Sequence, residues 1–202
     1  MTGSSPRPTF TVIAGPNGSG KSTFTASTRT QLDAPIVDPD AIARELNPAA
    51  PEQAAVAAGR EALKRQTSFL EHGTSFIVET TLAGNGPLRQ MEQARQHGFD
   101  VELYFIAIEN VQTNIDRITG RVAQGGHHVP EQDVRRRYTR SMENLAQAIE
   151  LADRATIIDN TLRQEPRIVL KTNAGRITEQ AEELPVWVTT YLGTFIIQQN
   201  RP

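Results

Sequence analysis

The chain has 202 residues and a formal net charge of −2, with 21 basic and 23 acidic side chains. One domain of that length buries a full core without covalent staples. Cysteine is absent, which excludes disulfides, thiolate metal centres and a cysteine nucleophile. The balanced charge argues against wholesale binding to a nucleic-acid backbone, and no apolar run reaches the ~18 residues of a membrane span.

Residues 1–8 are polar and proline-bearing, without the apolar stretch of a secretion signal. They read as a flexible tail on a cytoplasmic protein. Thr9–Ala14 is a short β-branched run that reads as a buried parallel strand. A helix opens from Gly20. Ala34–Asp38 reads as a second strand, and Asp40–Leu46 as a short helix stopped before Pro48. Glu52–His72 reads as a long helix with Val56, Leu63 and Leu70 along one side, Ala62, Gln66 and Phe69 nearby, and Gly73 at its C-terminus. Ser75–Glu79 is the third strand, Pro87–His97 a helix ending at Gly98, and Val101–Ile108 the fourth strand. Val111–Ala123 and a helix opening at Pro130 or Glu131 flank the loop Gln124–Val129. Val134, Tyr138, Met142, Leu145 and Ile149 keep helical spacing in the second of these. Arg154–Asp159 is the fifth strand.

Strands alternating with helices five times predict an α/β fold, a parallel five-stranded sheet flanked by helices. The pattern changes after Asn160. Arg167–Thr172 has strand composition, Asn173–Gly175 reads as a turn, and Pro185–Ile197 as a terminal helix or strand. Trp187, Tyr191 and Phe195 recur at four-residue spacing, which favours a helix. The expected organisation is a core over 9–160, containing an arginine-rich lid at about 117–140, and a C-terminal extension over 161–202 packed on the core.

Gly15, Pro16, Asn17, Gly18, Ser19, Gly20, Lys21 and Ser22 match G-x-x-x-x-G-K-[ST] between a predicted strand and a predicted helix. Glycines let successive N–H groups turn inward, and the following helix adds its free amides and positive dipole end. Lys21 is expected to reach the β- and γ-phosphates, Ser22 to ligate Mg²⁺, and Thr23 to complete the nucleotide loop. The bland reading, a glycine-rich turn matching by accident, is disfavoured by the strand and helix on either side. No N-K-x-D guanine-reading motif and no L-S-G-G-Q transporter signature occurs, and the length is too small for a two-domain helicase. A kinase that moves the γ-phosphoryl group of ATP to a small acceptor remains. The competing class is a non-catalytic protein that binds ATP to order its lid.

Ligands of open α/β sheets sit beyond the carboxyl ends of the strands, where Asp38, Asp40, Glu79 and Asp159 fall. Proton removal from an acceptor hydroxyl needs a carboxylate in reach. Asp40 is the first choice for that base, against the alternative that it caps its helix. Asp38 could position this region or touch Mg²⁺ through water. Glu79 stands in the place of a Walker-B acid, as a substrate contact, a Mg²⁺ contact or a strand-end acid bonding loop amides. Asp159 reads as structural. Arg117 and Arg121 share a helix face, and Arg135, Arg136, Arg137 and Arg140 open the next helix. An arginine-rich helix–loop–helix between strands four and five is where nucleotide kinases carry a lid. The bland reading is a solvated face, and consecutive arginines diverge by ~100°, so two or three of the six are expected on phosphate. His127 and His128, without carboxylate or cysteine spacing, read as a lid turn or substrate contact instead of a metal site.

The stretches AGPNGSGKST (14–23), VDPDAIA (37–43), FIVETTLAG (76–84), FDVELYFIAI (99–108), RVAQGGHHVPEQDVRRRYTRSMENL (121–145) and ADRATIIDN (152–160) resemble the zeta toxin-like P-loop kinases. The likeness is strongest to the free-standing branch labelled predicted ABC-type ATPase. It implies an adenylate-kinase-like P-loop fold using ATP and Mg²⁺, and an acceptor hydroxyl on the sugar of UDP-N-acetylglucosamine. It further implies Asp40 as general base, Glu79, Thr80 and Thr81 with Asp38 and His127 on the acceptor side, and Arg117, Arg121 and Arg136 on phosphate. A separately encoded antitoxin is the implied protein partner. The G-G-H-H-V-P lid loop departs from the better-known zeta toxins.

Overall fold

The computed structural model describes residues 6–29, 32–123, 129–162 and 165–199. Five strands run parallel: β1 (Thr9–Ala14), β2 (Ile36–Val37), β3 (Phe76–Thr80), β4 (Asp100–Ala107) and β5 (Arg154–Asp159). Two more, β6 (Arg167–Asn173) and β7 (Arg176–Gln180), extend the β5 edge in antiparallel register. The sheet order is β2-β3-β1-β4-β5-β6-β7. The parallel α/β core is therefore as the sequence predicts, and β7 is an addition to it. β6 and β7 are joined at Ala174 and Gly175, both with positive φ, 47° and 72°. Two positive φ values in a two-residue loop match the twist of a tight hairpin.

Alternation along β1 divides the core. Phe10, Val12 and Ala14 face the large apolar cluster, together with Phe76, Leu103, Phe105 and Ile157 from the neighbouring strands. Ile13, Ile77, Ile106 and Ile158 face the opposite side, against Phe24 of helix α1 (Lys21–Thr28). On the first face lie α3 (Ala55–Glu71), α4 (Asn85–Gln96), α7 (Leu145–Leu151) and α8 (Val186–Gln199). Helix α2 (Pro39–Leu46) lies against α3, tied to it by Arg65, which pairs with Glu45 at 3.1 Å and Glu61 at 3.0 Å.

The α3 face differs from expectation. Its buried line is Ala58, Ala62 and Gln66, whereas Val56 and Leu63 are 71% and 56% exposed. Small side chains at i and i+4, Ala58 and Ala62, let α3 lie close to the sheet, and that geometry outweighs the seven-residue apolar spacing. The predicted long helix after Pro130 is two helices, α6 (Glu131–Glu143) and α7, meeting at Asn144. The Asn144 side-chain amide donates to the Leu82 carbonyl at 2.8 Å. The helices α5 (Val111–Val122) and α6, where the sequence predicts a lid, have their own small core of Ile118, Val129 and Val134. Among the described residues no helix is long and apolar enough to cross a membrane.

Candidate active site

Strand register brings the candidate residues to one edge. Ile13 pairs with Glu79 and Ala14 with Thr80, while Val37 pairs with Val78. The chain therefore leaves β1 at Gly15, β2 at Asp38 and β3 at Glu79–Thr80 at the same carboxyl edge of the sheet.

The phosphate loop is bound from behind. Asn114, fully buried, donates its amide to the Asn17 carbonyl at 2.6 Å. Asn160 donates its own to the Ser19 carbonyl at 2.8 Å. Gly15 adopts φ 140°, and a Cβ there would collide with the Ile106 carbonyl oxygen. With carbonyls held outward, helix α1 opens at Gly20 with no side-chain cap and no acid in its first turn. Its first-turn N–H groups lack intrahelical partners, so the loop and helix start form an anion site. The Ser19 hydroxyl beside Gly15 is buried and makes no hydrogen bond among the described residues.

Lys21 is buried, and its ammonium donates to the Pro16 carbonyl at 2.9 Å. Burial lowers its pKa to about 8; the Glu79 carboxylate opposes that shift and the Arg121 charge adds to it. Ser22 donates to Glu79 Oε1 at 2.8 Å. The Thr25 hydroxyl lies 3.0 Å from Glu79 Oε2 and 3.0 Å from the Lys21 carbonyl oxygen. Glu79 thus faces the first turn of α1, and among the described residues its partners are the Ser22 and Thr25 hydroxyls and no loop amide. Among the described residues no cluster of three or more His, Asp or Glu forms a self-sufficient metal cage. One hydroxyl and one carboxylate in contact suit Mg²⁺, a hard cation that keeps waters and takes its other ligands from phosphate.

The helix cap belongs to Asp38. Its Oδ1 accepts from the Asp40 N–H at 2.9 Å, and its Oδ2 stands 3.8 Å from Arg44. Asp40 is exposed in the first turn, and its carboxylate makes no hydrogen bond or ion pair among the described residues. After Glu79 the chain turns sharply. Leu82, fully buried, takes φ 56°, a strained value for a residue other than glycine. Its N–H donates to Thr80 Oγ1 at 3.2 Å and its carbonyl accepts from Asn144. Thr81 stands partly exposed at this turn.

Arg117 donates to the Asn160 and Thr161 carbonyls at 3.1 and 3.3 Å, so it lies against the loop that braces Ser19. Arg121 is near enough to Lys21 to lower its pKa. Arg135 pairs with Glu131 and donates to Gln112, both at 2.7 Å, and Arg136 pairs with Asp133 at 2.7 Å on its own helix. His127 lies outside the described residues. Tyr138 fixes α6 to the end of β4, its hydroxyl 2.8 Å from the Ile108 and Glu109 carbonyl oxygens. Burial raises its pKa far above the ordinary value, so it stays a neutral donor. The bracing residues Asn114, Asn144 and Asn160 escape sequence reasoning, because single asparagines carry no motif.

The family model for Zeta toxin matches residues 2–175. An uncharacterized protein of Haemophilus influenzae is 38% identical over 124 residues, 61% of this chain and 88% of that protein. Among solved structures, one from the PezAT chromosomal toxin–antitoxin system of Streptococcus pneumoniae aligns over 98% of this chain and 88% of its own, at 17% identity and TM-score 0.61. The AvrRxo1-ORF1 complex with ORF2 and ATP aligns over 85% of this chain, at 15% identity and TM-score 0.71. The chain spans 60% of the length of that AvrRxo1 chain. At such identities the likeness is one of fold, that of the P-loop kinases.

Proposed function

The chain belongs to the zeta toxin family, and from that premise we propose an ATP-dependent kinase whose acceptor is a hydroxyl of UDP-N-acetylglucosamine. The observation that carries the reading is the contact of Ser22 with Glu79 beside buried Lys21, at the sheet edge where the Asp40 carboxylate is exposed and unengaged among the described residues. A phosphate loop alone would serve a binding protein. A carboxylate left free at the same edge is what transfer to a hydroxyl requires.

In this reading the loop 15–22 and the start of α1 hold the triphosphate through backbone N–H groups, with Thr23 at its rim. Lys21 neutralises charge on the β- and γ-phosphates. Ser22 and Glu79 would hold Mg²⁺, which when bound supplies charge neutralisation at the phosphate oxygens. Arg117, Arg121 and Arg136 close on the phosphates from the lid. Asp38, Glu79, Thr80, Thr81 and His127 orient the acceptor. Asp40 takes the proton of the acceptor hydroxyl as its oxygen bonds to the γ-phosphorus and the bond to the β–γ bridging oxygen breaks, releasing ADP. A separately encoded antitoxin is the proposed protein partner.

Incubation with labelled ATP, Mg²⁺ and a panel of UDP-sugars, followed by mass spectrometry, tests the reading. The expected product is UDP-N-acetylglucosamine carrying one added phosphoryl group. Phosphorylation of a different hydroxyl compound would replace the acceptor, and ATP binding without transfer to any would sink the kinase.

A further inference from the structure

Trp187 is the sole tryptophan of the chain, and it lies on α8, beyond the residues 2–175 that the family model matches. It is 2% exposed, and its ring packs near Phe105 at the end of β4. Packing alone would not direct its single polar atom. The indole N–H donates to Asp159 Oδ1 at 3.0 Å, a carboxylate whose side chain is only 7% exposed. The Thr161 hydroxyl donates to the same oxygen at 2.6 Å, and Arg167 of β6 stands 3.5 Å from the other. A buried carboxylate is tolerated when its lone pairs are filled in this way.

Thr161 and its neighbour then carry the contact inward. Thr161 Oγ1 accepts from the Glu109 N–H at 3.1 Å, and Asn160 N–H donates to the Ala107 carbonyl at 2.8 Å. Asn160 holds the Ser19 carbonyl of the phosphate loop, and both carbonyls of the pair receive Arg117. The fit leaves no slack: a Cβ on Gly20 would collide with the Asn160 amide. Three elements therefore meet on two residues. They are α8 through Asp159, the lid helix α5 through Arg117, and the phosphate loop through Ser19.

We propose that Trp187 and Asp159 are positioning residues of the nucleotide site, through which α8 sets the Asn160–Thr161 loop against the phosphate loop. The proposal rests on the reading of residues 15–22 as an ATP site. It gives the C-terminal helix a part in nucleotide affinity as well as in folding. The indole N–H fixes one carboxylate rotamer, that rotamer receives Thr161, and the fixed loop holds Ser19 outward so that the amides point at phosphate.

Trp187→Phe keeps an aromatic ring and removes the N–H; Thr161→Val keeps the shape and removes the hydroxyl. Affinity for the non-hydrolysable analogue AMP-PNP with Mg²⁺ is measured by calorimetry, well below the melting temperature of each variant. Each substitution is expected to weaken binding by about tenfold, the scale of a hydrogen bond to a charged group. The double variant should bind no more weakly than the weaker single one, because both break the same chain of contacts. Parent-like affinity in Trp187→Phe, with only the melting temperature lowered, would reduce the indole to packing and overturn the proposal. Additive losses would overturn it too. If Trp187→Phe fails to fold, Thr161→Val decides alone, and parent-like affinity there overturns the proposal. Failure of the parent protein to bind AMP-PNP would strike the ATP-site reading itself, an outcome distinct from any result on the variants.

Discussion

At the scale of single residues, Lys21 and Asp40 make opposite uses of solvent. Lys21 gives up hydration, and its pKa falls to about 8. A lysine whose folded-state pKa is lowered costs the fold stability at pH below about 8. That cost is relieved as pH rises from there towards the ordinary value, because the unfolded chain then binds the extra proton. A triphosphate stabilises the charged form. AMP-PNP binding is therefore expected to take up a proton above neutrality, about half a proton per site near pH 8. Calorimetry in buffers of different ionisation enthalpy reads this directly, and zero uptake at pH 8.5 would mean that Lys21 is already fully charged. Asp40 keeps its water. Because Asp38 is the cap, Asp40→Asn removes no hydrogen bond, and only a helix-dipole contribution of at most ~1 kcal/mol is lost. Melting temperature and AMP-PNP affinity should stay near the parent's while phosphoryl transfer falls by ~10²-fold or more. A variant that transfers at the parent rate would move the search for the base to Asp38 or Glu79. The phosphate loop was legible in the sequence because its chemistry is contiguous. Its braces were not: Asn114 and Asn160 reach it across 97 and 141 residues, a relation that only the folded topology creates.

At the scale of elements, the break between α6 and α7 and the turn after β3 are one feature. The turn needs a left-handed residue, and the chain supplies Leu82, whose side chain is fully buried and cannot be exchanged for glycine without loss of core. Asn144 compensates by binding the Leu82 carbonyl. Asn144→Ala leaves that carbonyl unpaired beside the core and should cost about 1–3 kcal/mol, read as a lowered denaturation midpoint at unchanged slope. Asn144→Asp should not rescue it, since a carboxylate cannot donate. An alanine variant as stable as the parent would show that the strained turn is held by packing alone. The elements themselves were largely legible, since β1 and β5 have the predicted bounds and β2, β3 and β4 fall within one or two residues of theirs. What failed was the buried face of α3. Periodicity weighs hydrophobicity, whereas the sheet selected Ala58 and Ala62 for their small size.

At the scale of the whole molecule, the parallel sheet is not finished at β5. Strand β5 would be an open edge without β6, and the face carrying Phe105 and Ile157 would lose one of the helices that cover it without α8. Five side chains of α8, namely Trp187, Val188, Leu192, Phe195 and Ile196, are buried in the main core. At roughly 1.5–3 kcal/mol for each large buried side chain, their removal forfeits about 7–15 kcal/mol. That equals the whole net stability of an ordinary domain, about 5–15 kcal/mol. Truncation before Pro185 is therefore expected to abolish cooperative folding, although the family match stops at residue 175. Circular dichroism during thermal denaturation decides it. A truncated chain with a sharp transition near the parent's would mean that α8 is an appendage and that the apolar face tolerates water. The expected loss also fixes how the link from Trp187 to the phosphate loop must be probed. Removing the helix would confound folding with affinity, whereas exchanging the indole for a phenyl ring keeps an aromatic side chain in the core, removes the contact to Asp159, and leaves its packing cost to be read separately in the melting temperature.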